Sequence, residues 1–168
     1  MTEQLGPARL DEAVAWFEEN AAAARAVIVA LSPESLRVVP DGEPWNVASI
    51  VSHMGAALHF SLAVEAVMRG GRPLGPEVFA ENRAKVEAAA GASKEDLLAA
   101  FDEGVAAFRQ HLASLDEEEY GRVYTMRDPF GRETTWSSRF GVWRQVTHLQ
   151  EHVAQIRDWL ARGSAPTA

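Results

Sequence analysis

Two histidines near the C-terminus stand four residues apart, in the segment THLQEHVAQI. His148 and His152 would lie on one face of an α-helix, because residues four apart are separated by about one turn. Two imidazoles in this arrangement can bind one divalent ion through ring nitrogens at about 2.1 Å. The spacing also occurs by chance, so the alternative is that both are half-exposed histidines on the side of a helix and bind no metal.

The same segment matches the H-x-x-E-H pattern of inverted zinc peptidases, in which the glutamate, here Glu151, acts as general base. In those enzymes further ligands follow far downstream. Here 16 residues follow His152, none of them is histidine, and Asp158 is the one acidic residue. The peptidase interpretation is therefore set aside, and a third protein ligand must come from upstream.

The upstream candidate is His53, in the segment WNVASIVSHMGAALHF. The small residues that follow it permit a close approach of a neighbouring helix and leave room beside an imidazole. Three histidines on two helices would leave one coordination position open, as a catalytic metal site requires. The alternative for His53 is a buried histidine bonded to a carbonyl. We interpret His59 and His111 as non-ligands, because His59 faces another side of its helix and His111 falls in the surface-like run RQHLAS.

Apolar residues at spacings of three and four predict four long helices. Asn46 is the expected N-cap of the second helix, and Ser93 with Asp96 forms a capping box before the third. A shorter helix is expected in EVFAENRAKVEAAA, and the connection from Asp116 to Thr135 is expected to hold a short strand pair. The long helices cover approximately residues 8–31, 47–69, 94–112 and 136–161. The pattern predicts an all-α four-helix bundle with a long crossover before the last helix, as one domain (1–163) with a short tail (164–168).

The apolar stripe of the last helix places the two histidines at its edge, where a bundle can hold a partly shielded polar site. Gln145 and Gln155 continue the line of His148 and His152, so both are candidates to orient the imidazoles. Glu151 points further round the helix and is the candidate general base.

Composition excludes several classes of function. The net charge of −8 argues against a nucleic-acid partner, because that affinity comes from lysine and arginine. The absence of cysteine excludes disulfides, cysteine-ligated metals and a protein thiol nucleophile. No apolar run of transmembrane length and no leader pattern is present, so we expect a soluble cytoplasmic protein with no membrane partner.

Trp45, the capped helix with His53, the long middle section and the final THLQEHVAQI together resemble the DinB/YfiT-like superfamily, over nearly the whole chain. The segment ENRAKVEAAAGASKEDLLAAF resembles the mycothiol-dependent maleylpyruvate isomerase branch. The resemblance implies a four-helix bundle in which His53, His148 and His152 hold a divalent ion, zinc or nickel above all, and a homodimer. It also implies Asn82 and Arg83 as ligand-binding residues, and the use of a low-molecular-weight thiol such as mycothiol.

Arginines are concentrated between Tyr120 and Arg144. This segment contains five arginines and two acidic residues, which gives a local charge of +3. Arg139 and Arg144 are candidates to hold a carboxylate-bearing substrate or thiol by forked hydrogen bonds. The alternative is pairing with the acidic run at residues 117–119.

These features favour a metal-dependent thiol S-transferase or isomerase that acts on a small electrophilic substrate. A metal-dependent hydrolase with metal-bound water is one alternative. A protein that binds a metal or ligand without turnover is the other.

Overall fold

The computed structural model describes residues 6–128 and 130–163, so the predicted tail at 164–168 lies outside the described residues. Within these ranges the chain forms six α-helices and one strand pair, with two short 3₁₀ turns. The elements are α1 (Leu10–Ala30), α2 (Val47–Met68), α3 (Glu77–Ala88), α4 (Lys94–Ala113), α5 (Glu117–Gly121), β1 (Tyr124–Arg127), β2 (Glu133–Trp136) and α6 (Ser138–Gly163).

The four long helices α1, α2, α4 and α6 enclose one continuous apolar core. α2 packs against α4 and α6, and α1 packs against the same two helices. α3 lies outside this bundle against α2. The predicted all-α four-helix bundle with a long connection before its last helix is confirmed.

Local capping chemistry places the beginnings of the helices. The Asn46 side chain accepts a hydrogen bond from Ser49 N at 2.9 Å, and the Ser93 side chain caps α4 through Asp96 N at 3.1 Å. Both caps were predicted, because such side chains satisfy backbone N–H groups that lack an intrahelical partner. Asn46 also donates to Ala90 O at 2.9 Å, which joins the start of α2, the helix that carries His53, to the 3₁₀ turn that follows α3.

The small residues after His53 have two different uses. At the crossing of α2 and α4, a Cβ added at Gly104 would lie 2.9 Å from Gly55 O, so the two helices approach as closely as their backbones permit. Ala57 instead lines a cavity on another side of α2. Both expectations, close helix approach and open space, are met.

The long connection before α6 contains the predicted hairpin, with β1 antiparallel to β2 and Tyr124 opposite Trp136. Gly131 turns the hairpin with a φ of 81°, a left-handed conformation that favours glycine. The prediction was wrong in two details. It missed the five-residue helix α5, whose Tyr120 is buried and donates to Pro7 O at 2.9 Å. It also began the last helix at Trp136, which is the final residue of β2.

α2 is the one described helix that is long and apolar enough to cross a membrane. Of its most apolar 18-residue window, 56% is buried against the rest of the protein. Its composition is therefore that of a central core helix, which packing against α4 and α6 explains.

Candidate metal centre

The contact between α2 and α6 brings three imidazoles together. His53 lies on the second turn of α2, and His148 and His152 lie one turn apart on α6. The Nε2 atom of His148 is 3.1 Å from that of His53 and 3.0 Å from that of His152. The candidate ligand atoms of the three residues all lie within 4.8 Å of one another.

These separations fit ligation of one divalent ion. Two ring nitrogens bound to one ion at about 2.1 Å lie roughly 3.0–3.4 Å apart for tetrahedral or octahedral bond angles. Imidazole nitrogen also suits zinc and nickel. The three residues predicted as a metal triad therefore form a group that could hold a divalent metal.

The protonation of the triad favours cation binding. Burial lowers the pKa of His53 to about 4 and that of His148 to about 3, and the positive charges nearby lower them further. Burial also lowers the pKa of His152, although a hydrogen bond to Gln155 and the charge of Glu151 oppose it. The imidazoles are therefore neutral near pH 7, the form that binds a metal.

Gln155 orients one of the three rings. Its Oε1 lies 2.7 Å from His152 Nδ1, and because an amide oxygen can only accept, Nδ1 carries the proton. The lone pair of His152 is then on Nε2, which faces His148. Gln145 differs: it is buried at 5% exposure, lines the neighbouring cavity, and its Oε1 has no hydrogen-bond partner among the described residues. The expected contact of Gln155 is present, whereas Gln145 faces the cavity.

A cavity of about 680 Å³ opens beside His53 and His148. No acidic residue is among the described residues that line it. Two arginines do line it, and each is paired with a glutamate outside the lining. Its walls are largely aromatic, formed by Trp45, Phe60, Phe79, Trp136 and Phe140.

The predicted ligand-binding residues divide into two groups. Asn82, Arg83 and Arg144 line the cavity. Arg139 does not, and it donates to Gly6 O at 2.8 Å. Glu151 also lies outside the lining, with its side chain 64% exposed and its carboxylate 3.4 Å from Arg144 Nη1.

Sequence reasoning missed part of the cavity wall. Trp45 and Trp136 were not among the candidate site residues, yet both line the cavity. Ser61 was not singled out, although its spacing from His53 and Ala57 is helical and places all three on one face of α2.

The expectation that His111 is a surface residue is wrong. Its side chain is 14% exposed, and its Nε2 lies 3.3 Å from an oxygen of Glu65, which is 3% exposed. The other excluded histidine, His59, is exposed.

Solved structures of other proteins share the fold of this chain. A crystal structure of a Streptococcus pneumoniae protein superposes with a TM-score of 0.70 at 18% sequence identity, covering 91% of each chain. An uncharacterized protein from Clostridium difficile 630 gives a TM-score of 0.69 at 16% identity, covering 91% of this chain and 96% of the other. No curated protein matches the chain.

At these identities the solved structures support the fold alone. The sequence itself matches the DinB superfamily over residues 16–156, a span that begins in α1, includes all three histidines and ends in α6. The chain is therefore a member of the DinB superfamily.

Proposed function

We propose that this protein is a divalent-metal-dependent enzyme that joins a low-molecular-weight thiol to a small electrophilic substrate, as an S-transferase or isomerase. The observation that carries the proposal is the convergence of His53, His148 and His152 beside a cavity large enough for a small molecule. A structural site would surround its ion with four protein ligands, whereas three leave one position for a ligand.

A bound zinc or nickel ion would lower the pKa of a coordinated thiol so that the thiolate forms near neutral pH. The thiol must come from outside, because the chain has no cysteine. A bacterial thiol such as mycothiol fits this requirement. The protein's own part is to hold the two reactants in the cavity and to exclude water.

Arg83, Arg144 and Asn82 supply the binding groups of that cavity. An arginine binds carboxylates through two parallel hydrogen bonds, so these residues favour an anionic substrate or thiol. Glu151 contacts Arg144 at 3.4 Å, and we assign to it the orientation of that guanidinium. We assign to Arg139 the attachment of the N-terminal segment at Gly6, rather than substrate binding.

The alternatives differ in what they need from the cavity. A hydrolase with metal-bound water needs a general base beside it, and no acidic residue is among the described lining residues. A protein that only holds a metal needs no cavity, whereas one that binds a small ligand without turnover needs one as an enzyme does. The open pocket therefore disfavours a protein that only holds a metal.

We expect the enzyme to be a cytoplasmic homodimer that binds neither membranes nor nucleic acid. The net charge of −8 supports the expectation that the protein does not bind nucleic acid, because that affinity comes from lysine and arginine.

The first test is elemental analysis of purified protein beside the double variant His148→Ala, His152→Ala. We expect about one divalent ion per chain, lost in the double variant while the helical circular dichroism is retained. His59→Ala is the matched control, because this exposed histidine lies on the same helix as His53 and should leave the metal content unchanged.

The second test titrates N-acetylcysteine into the cobalt-loaded protein and records the visible and near-ultraviolet spectrum. A new thiolate-to-metal band would support thiol binding at the open position. If addition of the thiol left the spectrum of the cobalt-loaded protein unchanged, the thiol-dependent activity would be contradicted. If the protein stayed metal-free after reconstitution, the metal site would be contradicted.

A further inference from the structure

Hydrogen bonds hold His53 less than they hold the other two imidazoles of the triad. His152 contacts Gln155 and His148, and His148 contacts both of the other histidines. His53 makes one contact at hydrogen-bond distance among the described residues, with His148 Nε2. The torsion that turns an imidazole about its Cβ–Cγ bond has a broad energy profile, so it does not fix the ring at one angle. The plane of His53 therefore depends on what packs against it.

That plane decides whether His53 can bind the metal. Its ring stands nearly perpendicular to those of its two partners, at 69° to His148 and 84° to His152, with ring centroids 4.9 and 5.1 Å away. In this orientation its Nε2 faces the Nε2 of His148. A half-turn of the ring would bring the carbon Cε1 near the position that Nε2 occupies. A ring free to turn would thus spend part of its time without a nitrogen directed at the ion.

Trp45 packs against the His53 ring. The centroids of the two rings lie 5.4 Å apart and their planes meet at 48°, within the range of aromatic pairs in contact. Side chains of a helix lean toward its N-terminus, so His53 leans toward the start of α2. Trp45 stands there, directly before the N-cap Asn46. The indole therefore covers the His53 ring and restricts its rotation.

Trp45 is itself held in place. The two residues that follow it are bonded to segments outside α2: Asn46 donates to Ala90 O at 2.9 Å, and Val47 N donates to Val38 O at 3.1 Å. The indole is half-buried and packs against the core. The surface that it offers to His53 is therefore part of the scaffold.

The indole also stands where the metal centre meets the cavity. Trp45, His53 and His148 all line the cavity, and His152 is outside the described lining. A change at Trp45 thus affects the side of the triad that a ligand approaches.

We propose that Trp45 is a positioning residue of the metal centre, whose indole fixes the ring plane of His53 so that Nε2 faces the other two ligand nitrogens. Packing does for His53 what the hydrogen bond from Gln155 does for His152. The proposal rests on the metal centre of the proposed function and is independent of the thiol chemistry.

The first readout is the Kd for zinc of the wild-type protein, Trp45→Ala, Trp45→Phe and Trp16→Ala, from competition with a chromophoric chelator. Trp16→Ala is the matched control, because Trp16 is also half-buried against the core but lies on α1, outside the cavity lining. If Trp45→Ala does not fold, Trp45→Leu takes its place, since leucine keeps apolar bulk at the position but has no flat ring.

The second readout is the quenching of tryptophan fluorescence by bound nickel, with zinc as the reference ion because its filled d shell does not quench. The chain has five tryptophans, so the difference between the wild-type protein and Trp45→Phe isolates the signal of Trp45. A residue that supports only the fold, away from the metal, would contribute little to this difference.

We expect Trp45→Ala to bind zinc about tenfold more weakly, because residues that orient a metal ligand typically change affinity by about 10- to 100-fold. Trp45→Phe should stay within about threefold of the wild-type protein, since a phenyl ring still packs on an imidazole. Trp16→Ala should bind zinc as the wild-type protein does. Nickel should quench the wild-type emission, and most of this quenching should be absent in Trp45→Phe.

The outcomes separate this proposal from the metal centre itself. Zinc binding by Trp45→Ala within twofold of the wild-type value would overturn the role of Trp45 and leave the metal centre intact. An equal loss in Trp45→Phe would overturn packing on the ring as the cause. An equal loss in Trp16→Ala would mean a general loosening of the bundle and would also overturn the proposal. If the wild-type protein bound neither zinc nor nickel, the metal centre would be contradicted, and the role of Trp45 with it.

Discussion

Gln155 should control how tightly the triad holds its metal. Its side-chain oxygen is 2.7 Å from His152 Nδ1, which keeps the proton on Nδ1 and the lone pair on Nε2. In Gln155→Ala the imidazole can adopt the other tautomer and rotate away from His148. Loss of such an orienting contact typically lowers metal affinity by about 10- to 100-fold. Because His152 is only half-buried, water can replace the amide in part, and we expect about tenfold, or roughly 1.4 kcal/mol.

The assay is competition for zinc against a chromophoric chelator, at fixed pH and ionic strength. Gln150→Ala is the matched control, because this glutamine lies on the same helix and its amide donates to Asn20 at 2.9 Å, away from the triad. Gln155→Glu should retain or strengthen zinc binding, since a carboxylate also accepts from Nδ1.

The reasoning would be refuted if Gln155→Ala bound zinc within twofold of the wild-type protein. It would also be refuted if Gln155→Glu lost as much affinity as Gln155→Ala. The first result would mean that the geometry of the helix, rather than this hydrogen bond, orients His152. The second would mean that Gln155 does not act by accepting the proton of Nδ1.

Two further predictions concern the scaffold that positions the triad. Gly104→Ala should lower the free energy of unfolding by about 1–3 kcal/mol in urea, because its Cβ would lie 2.9 Å from Gly55 O. Gly91→Ala, with nothing within 4 Å, is its control, and equal midpoints would argue against the tight crossing. Asn46→Ala should cost about 1–2 kcal/mol in the same assay, because it removes the cap of α2 and the bond to Ala90. An unchanged midpoint would show that α2 does not need its cap.

Much of the fold is predictable because its signals are local. Asn46 and Ser93 are recognisable as caps from the adjacent residues alone, since a cap satisfies N–H groups two or three residues away. α5 escaped prediction because a five-residue acidic segment has no periodicity, and its place depends on burial of Tyr120 against distant residues.

The residues of the candidate metal centre were also predictable, because each histidine can be recognised from the sequence immediately around it. His148 and His152 are one helical turn apart in any helix, and His53 stands beside small residues. The resemblance to the DinB/YfiT-like superfamily supplied the prediction that these two helices share one metal site. Geometry then showed what spacing cannot, namely that the three Nε2 atoms meet and that Gln155, not Gln145, contacts an imidazole.

The cavity was decided by tertiary structure. Whether Trp136 packs in the core or lines a pocket depends on how the hairpin lies over α2 and α6, and no pattern in its own segment records this. The same holds for Glu65 and His111, which meet only because α2 packs against α4. The sequence by itself determined which residues could bind a metal, because ligand chemistry and helical spacing are local properties. Only the packing of the helices decided what surrounds them, because burial depends on residues far apart in the chain.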